Sequence, residues 1–472
     1  MKTIDKIFVD GNFRTPMGQK VMKLYNPENG EQASVVTLAN SADVEIAVAA
    51  AKKAFKTFSK TTIKERGEIL DLIYQAILER RDELNQVAIN EYGSPISATN
   101  ARTVYAAQIF VDTKAAMEEF QFSQTLDHAQ IIQQPLGVIA AITPWNADYT
   151  HICGKLAPAI AAGCTIVVKP SELSAAQTQI LTECFASANV PEGVINILNG
   201  TGAEVGSALS EHADVDVVTF TGSTAVGKII YRAAAGTMKR VILELGGKSP
   251  NVILDDAHLE TAIPMALNIA FSNSGQACHA GTRLIIPKLK AAEIKNLLIQ
   301  AASKLKIGNL QDADSFIGPM VSEKQYQTVQ DYIKSGIAEG AKILVGGLGN
   351  PKGLDGYYVR PTIFTGVKPG MKIEREEIFG PVLSVIEYDN EAEAIEIAND
   401  TIYGLSAYLS GQDKSRLDRV SSQILAGRVL INTVVNKESK SPFGGFKQSG
   451  IGRTSWKYGI EAYVEPKVIT LY

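Results

Sequence analysis

Cysteine is scarce in this chain, with four residues in 472: Cys153, Cys164, Cys184 and Cys278. So few, so scattered, make no disulfide framework, and none of their spacings is that of a zinc site. The adjacent pair Cys278-His279 is not ligand geometry either, so no metal is expected. No stretch of about 18 uncharged apolar residues occurs, which excludes a membrane-spanning helix. No run of Lys or Arg stands out and the net charge is −4, so neither nucleic acid nor a membrane surface is an expected partner. The start, Met1-Lys2-Thr3-Ile4-Asp5, lacks the apolar core and cleavage site of a signal peptide. With cysteines that read as reduced, this leads to the expectation of a cytoplasmic location. Internal repeats and low-complexity segments are also missing. What remains, 45% hydrophobic and 20% charged residues, is ordinary for a globular chain long enough for two or three domains.

The pattern of apolar residues organises the chain. Lys6 to Phe13 reads as a short hairpin around Asp10-Gly11. Residues 41–120 are helical in period, with an N-cap expected at Ser41. After Gln133 the texture changes. Val138-Ile139-Ala140-Ala141-Ile142, Ile166-Val167-Val168, Val194 to Leu198 and Val217-Val218-Thr219-Phe220 are short apolar runs, each followed by a polar turn and then a helical segment. That alternation predicts a parallel sheet covered by helices on both faces. Ligands in such sheets bind beyond the strand carboxyl ends, where these polar turns fall. Past Glu244 a second set, including Arg283 to Pro287, Ala341 to Gly347 and Pro381 to Ile386, predicts a second α/β unit. Tyr463 to Tyr472 is an apolar, strand-like tail of the kind that pairs with another subunit.

Several turns carry chemistry. A lone cysteine reads first as a small buried hydrophobe. Gly275-Gln276 before Cys278 and Gly281 after it argue instead for a sharp, exposed loop presenting a nucleophile. Glu244 ends the apolar run Val241-Ile242-Leu243 and precedes Gly246-Gly247, so a partly buried carboxylate with a raised pKa is expected there, suited to a base. Asn146, after Thr143-Pro144-Trp145, reads as a turn residue, while its amide is also a donor to a developing oxyanion. Gly222-Ser223, after Phe220-Thr221 and before Gly227, would place free N–H groups at a helix start, a natural pyrophosphate site. Lys169 and Glu172, around Ser171, could hold a ribose diol, and the carboxylate would repel a 2′-phosphate, favouring NAD over NADP. The loop Gly200 to Gly206, which contains Gly202, is one residue too long for a dinucleotide fingerprint. Glu377 and Phe379 offer a carboxylate and a ring to orient a nicotinamide ribose; alone they would be a turn.

Taken in order, Pro144-Trp145-Asn146, Lys169-Pro170-Ser171-Glu172, Phe220-Thr221-Gly222-Ser223, Glu244-Leu245-Gly246-Gly247-Lys248, Gly275-Gln276-Ala277-Cys278, Glu377-Ile378-Phe379-Gly380-Pro381 and Pro442-Phe443-Gly444-Gly445 resemble the NAD(P)-dependent aldehyde dehydrogenase superfamily along nearly the whole chain. The resemblance implies an α/β fold with a Rossmann-type coenzyme domain (1–120 and 135–245), an α/β catalytic domain (246–440) and a small β oligomerisation arm (121–134 and 453–472) that makes a homodimer or homotetramer. It implies oxidation of a small-molecule aldehyde to a carboxylic acid. Cys278 would attack, Asn146 and the Cys278 N–H would hold the oxyanion, Glu244 would activate water, and Lys155 would support a proton relay. It also implies NAD as coenzyme, with NADP the alternative, held by Thr143, Pro144, Trp145, Lys169, Ser171, Glu172, Phe220, Thr221, Gly222, Ser223, Gly227, Leu245, Gly246, Glu377 and Phe379. Gly202 then lies nearer the adenosine end.

Departures from the family pattern fall on the substrate side. Ala147 and Asp148 replace an aromatic residue and a proline. His151 and Gly154 stand where large apolar residues are common, and His279 follows the nucleophile where small or apolar residues are usual. A carboxylate sometimes assigned to proton relay is also absent at Gly452-Arg453-Thr454. Ala147, His151, Gly154, Ala277 and His279 thus suggest a tunnel that is wider and more polar, suited to a bulky, aromatic or hydroxylated aldehyde, unless these side chains point elsewhere. Two other readings stay open. One is a CoA-acylating aldehyde dehydrogenase, which Glu244 argues against. The other is a non-catalytic binding protein on the same fold.

Overall fold

The computed structural model describes residues 2–470. Its first sheet has eight strands, in the order 450–451, 240–244, 217–221, 138–142, 165–169, 195–197, 7–9 and 12–14. The five from Arg240–Glu244 to Ile195–Ile197 are parallel, and the outer strands run antiparallel. Strand order reverses direction between Val138–Ile142 and Val217–Thr221, and this switch point opens a crevice beyond their carboxyl ends. Side chains along Val138–Ile142 alternate between two cores: Ile139 and Ala141 enter one, Val138, Ala140 and Ile142 the other. This two-residue period, with both faces covered, is why the strand reads as an unbroken apolar run.

The hairpin forms as expected, with Asp10 and Gly11 both at positive φ (53° and 76°), as a tight two-residue turn requires. The first helix spans Ser41–Phe58, but its cap is Asn40 rather than Ser41. The Asn40 side chain accepts from the N–H groups of Ala42 and Asp43, and Asp43 accepts in return from the Asn40 N–H. This reciprocal pair outcompetes a serine one residue later. The remaining helical stretch divides into Ile63–Glu79, Arg81–Tyr92 and Ile96–Glu119.

The second sheet has seven strands, in the order 342–345, 362–365, 382–388, 283–287, 250–253, 406–410 and 428–431, all parallel except the first. A third, three-stranded sheet pairs the tail Val464–Thr470 with Ala129–Pro135, from Val464 opposite Pro135 to Thr470 opposite Ala129, and Ser123–Leu126 completes it. The tail is therefore paired by its own chain along one side. Leu471 and Tyr472, within the expected arm, and Met1 lie outside the described residues. One segment takes an unexpected place: Gly450–Ile451 returns to the first sheet as an antiparallel edge beside Leu243 and Glu244.

Candidate active site

The polar turns of the first sheet converge with one loop of the second. Thr143 follows Val138–Ile142 and its N–H donates to the Lys169 carbonyl at 3.1 Å. Pro144 and Trp145 are half-buried, and Trp145 packs edge-on against Phe379, with ring centres 5.4 Å apart. Asn146 is buried, and its side-chain nitrogen donates to the Gln276 carbonyl at 3.0 Å. Asn273 in turn donates to the carbonyls of Asn146 and Gln276, each at 3.0 Å. The oxyanion candidate and the cysteine loop are thus tied together across 127 to 130 residues of sequence.

That loop is sharp, but it is not exposed. Asn273, Ser274 and Gly275 all have positive φ (54°, 58° and 72°), and a Cβ at Gly275 would meet the Gly380 backbone. Gln276 is fully buried; its side chain donates to Tyr92 and Pro319 and accepts from the Val321 N–H. Cys278 itself is half-buried. The loop's polar groups find partners inside the protein, so turn residues that suggest a solvent-facing loop here mark a packed one. Ala277 is buried beside the nucleophile.

Two carboxylates and an amine share this space. Glu244 ends its strand buried, and neither carboxylate oxygen has a hydrogen-bond partner. Burial raises its pKa, against the opposing pull of Lys155. Lys155 is buried too, rather than a solvated helix lysine; it donates to Thr219 Oγ1 at 3.0 Å, and burial lowers its pKa. Glu377 accepts from the Gly247 N–H at 2.9 Å, and burial pushes it up to about 7. The Cys278 thiol is pushed up to about 12 by burial and then by Glu377 and Glu244, while Arg428 pulls it down.

The remaining turns form a cradle. Glu172 is held by Lys169 Nζ at 3.1 Å. Ser171 caps the turn that follows, accepting from the Leu173 N–H at 3.2 Å. Ser223 caps Thr224–Ala235 and stays exposed, but the Gly222 N–H is not free as expected: it donates to the Glu244 carbonyl at 3.1 Å, because the turn folds back on the end of the neighbouring strand. Gly222 packs on the Phe220 ring and Gly227 on Leu245. Thr221 pairs with Glu244 across the sheet. A Cβ at Gly246 would meet the Glu377 carboxylate, so only glycine admits that acid here. Gly202 is exposed at the rim and opens a single helical turn. Thr143 Oγ1 is buried without a partner. A helix start, a diol-sized acid–amine pair and an orphaned hydroxyl suit a dinucleotide.

On the other side of Cys278, His151 and His279 lie close enough to influence each other. Burial and the charges of Lys155, Arg102 and His279 push His151 down to about 3; burial and Arg428 push His279 down to about 4. Both are neutral imidazoles at neutral pH. A Cβ at Gly154 would touch nothing within 4 Å, and Ala147 is half-buried at the helix start. The Asp148 side chain lies outside the described residues. Sequence reasoning misses Asn273, Ser449, Tyr408 and Arg428. Ser449 closes over the Gly-Gly turn, donating to the Gly246 carbonyl at 2.6 Å, while its own carbonyl accepts from the Leu245 N–H at 2.8 Å. Tyr408 donates to the His279 carbonyl at 3.0 Å.

A switch-point crevice that meets a cysteine loop from a second α/β sheet is the plan of a coenzyme-dependent enzyme. The aldehyde dehydrogenase family profile matches residues 13–469, and the chain belongs to that family. It is 40% identical, over 100% of its length and 99% of the other's, to a 3-succinoylsemialdehyde-pyridine dehydrogenase of a Pseudomonas species. Among solved structures it resembles a cysteine-to-alanine variant of aldehyde dehydrogenase C from Pseudomonas syringae in complex with NAD+ and octanal (TM-score 0.97, 42% identity, 98% of this chain and 96% of that one). It also resembles a point mutant of betaine aldehyde dehydrogenase from Staphylococcus aureus in complex with NAD+ (TM-score 0.96, 35% identity, 99% of this chain and 97% of that one). Among the described residues no helix is long and apolar enough to cross a membrane.

Proposed function

We propose that this chain oxidises an aldehyde to a carboxylic acid with NAD+, through a thioester on Cys278. The observation that carries the reading is the placement of buried Glu244 and the Asn146 amide around the Cys278 loop. Cys278 Sγ adds to the aldehyde carbon. The second N–H of the Asn146 amide and the Cys278 N–H receive the oxyanion. Bound NAD+ supplies the hydride acceptor. Loss of hydride leaves a thioester, and Glu244, whose proton affinity burial raises, takes a proton from the water that hydrolyses it. Lys155, whose charge acts on Glu244, would pass that proton on. Glu172, with Lys169, would hold the adenosine ribose, the helix start at Ser223 the pyrophosphate, and Glu377 the nicotinamide ribose.

The domains would be coenzyme binding by 1–120 and 135–245, catalysis by 246–440, and an arm from 121–134 and 453–472; the three sheets support this division, apart from Gly450–Ile451 in the first sheet and Pro135 in the arm strand. The arm's exposed face, with Val468 62% exposed, supports its use in joining copies of the chain. Light scattering on a chain cut before Val464 should give a smaller assembly than the full chain; an unchanged mass removes this role. The space beyond Gly154 supports a bulky or aromatic substrate. A panel from acetaldehyde to benzaldehydes, read as NADH and NADPH formation, tests the whole reading. We expect NADH above NADPH and larger aldehydes above acetaldehyde; no reduced coenzyme with any aldehyde would overturn it.

A further inference from the structure

Arginines in this protein show what a structural guanidinium looks like. Arg283 is fully buried and donates to the carbonyls of Lys248, Ile397 and Ala398, with Glu374 beside it. Arg416 is held between Glu391 and Asp255. Arg428 is different. It opens the strand Arg428–Ile431 beside Ser406, half-buried, with its guanidinium over the Phe443 ring at 5.2 Å. Its Nη2 meets the Ser406 hydroxyl at 3.4 Å, the Tyr408 hydroxyl is in its reach, and its Nε is buried with no partner. Among the described residues no carboxylate forms an ion pair with it. A guanidinium has five donors; two neutral hydroxyls meet part of them, and the buried Nε–H is left unmet, which is costly away from water.

Its position gives those open donors a chemical meaning. Arg428 acts electrostatically on Cys278, His279 and Tyr408 on one side and on Tyr105, 57% exposed on Ile96–Glu119, on the other. Geometry gives the same neighbourhood: Tyr408, on the strand beside Arg428, donates its hydroxyl to the carbonyl of His279, the residue after the nucleophile, at 3.0 Å. Both imidazoles in that neighbourhood are neutral, so they add no competing charge.

We propose that Arg428 is a specificity-determining residue that pairs with a carboxylate carried by the aldehyde at the end away from its carbonyl. The inference rests on the dehydrogenase reading above. It makes semialdehydes of dicarboxylic acids, and carboxy-substituted aromatic aldehydes, the favoured substrate class. A planar carboxylate matches the guanidinium fork and meets the donors that the protein leaves open.

Two matched pairs test this: succinic semialdehyde against pentanal, and 4-carboxybenzaldehyde against 4-methylbenzaldehyde, each read as NADH formation. The native enzyme should favour the acid in at least one pair by about tenfold in kcat/KM, mostly through KM. Arg428→Gln should bring that ratio close to one, and Arg428→Lys should restore part of it. A native enzyme that favours the neutral partner in both pairs overturns the inference and leaves the dehydrogenase reading standing. Equal losses on both partners in Arg428→Gln also overturn it, because a structural role alone gives that result. No NADH from any of the four aldehydes overturns both readings.

Discussion

Two sets of groups act on the Cys278 thiol, and they pull it in opposite directions. Toward the coenzyme cradle lie Glu244 and Glu377, acids whose pKa values burial raises. Toward the substrate space lie Arg428, Arg102 and two imidazoles kept neutral. The acids push the thiol up and Arg428 pulls it down. On the proposed reading the difference amounts to a division of labour: Glu244 would transfer protons, and Arg428 would recognise what the aldehyde carries.

The largest test removes the centre of the comparison. Cys278→Ala should lower NADH formation to background, on the scale of roughly a million-fold for a lost nucleophile. Activity within tenfold of native would move the chemistry elsewhere. Asn146→Ala comes next. Losing one oxyanion donor costs about a hundred- to a thousand-fold in kcat; because Asn146 also ties down the Gln276 carbonyl, circular dichroism should confirm that the fold is kept. A drop confined to KM would mean that Asn146 only positions substrate.

Much of the coenzyme side is legible from sequence, because its groups sit in contiguous turns at the ends of apolar strands. Glu244 is the clearest case: the apolar run before it and the glycines after it announce a buried acid, and the structure shows one. The substrate side is less legible. Arg428 and Tyr408 come from neighbouring strands of the second sheet, and no local pattern distinguishes them from other strand residues. Their role depends on which strands lie side by side. Gly275 and Gly281 mislead in a different way. Their turn chemistry correctly signals a sharp bend but carries no information on burial, which the tertiary contacts of Gln276 decide. Ser449 stays hidden because the chain returns to the first sheet only after crossing the second.

The central claim is that Glu244 works as the base that clears the Cys278 thioester. Its carboxylate form grows as pH rises through its raised pKa, so native turnover should climb with pH across that range where hydrolysis is limiting. The direct measurement is a rapid-mixing experiment on Glu244→Gln with NAD+ and a good aldehyde, followed by intact-protein mass spectrometry. The account predicts a burst of about one NADH per active site, a steady rate lower by roughly a hundredfold or more, and an acyl group on Cys278. A native steady rate with no acyl adduct would contradict it.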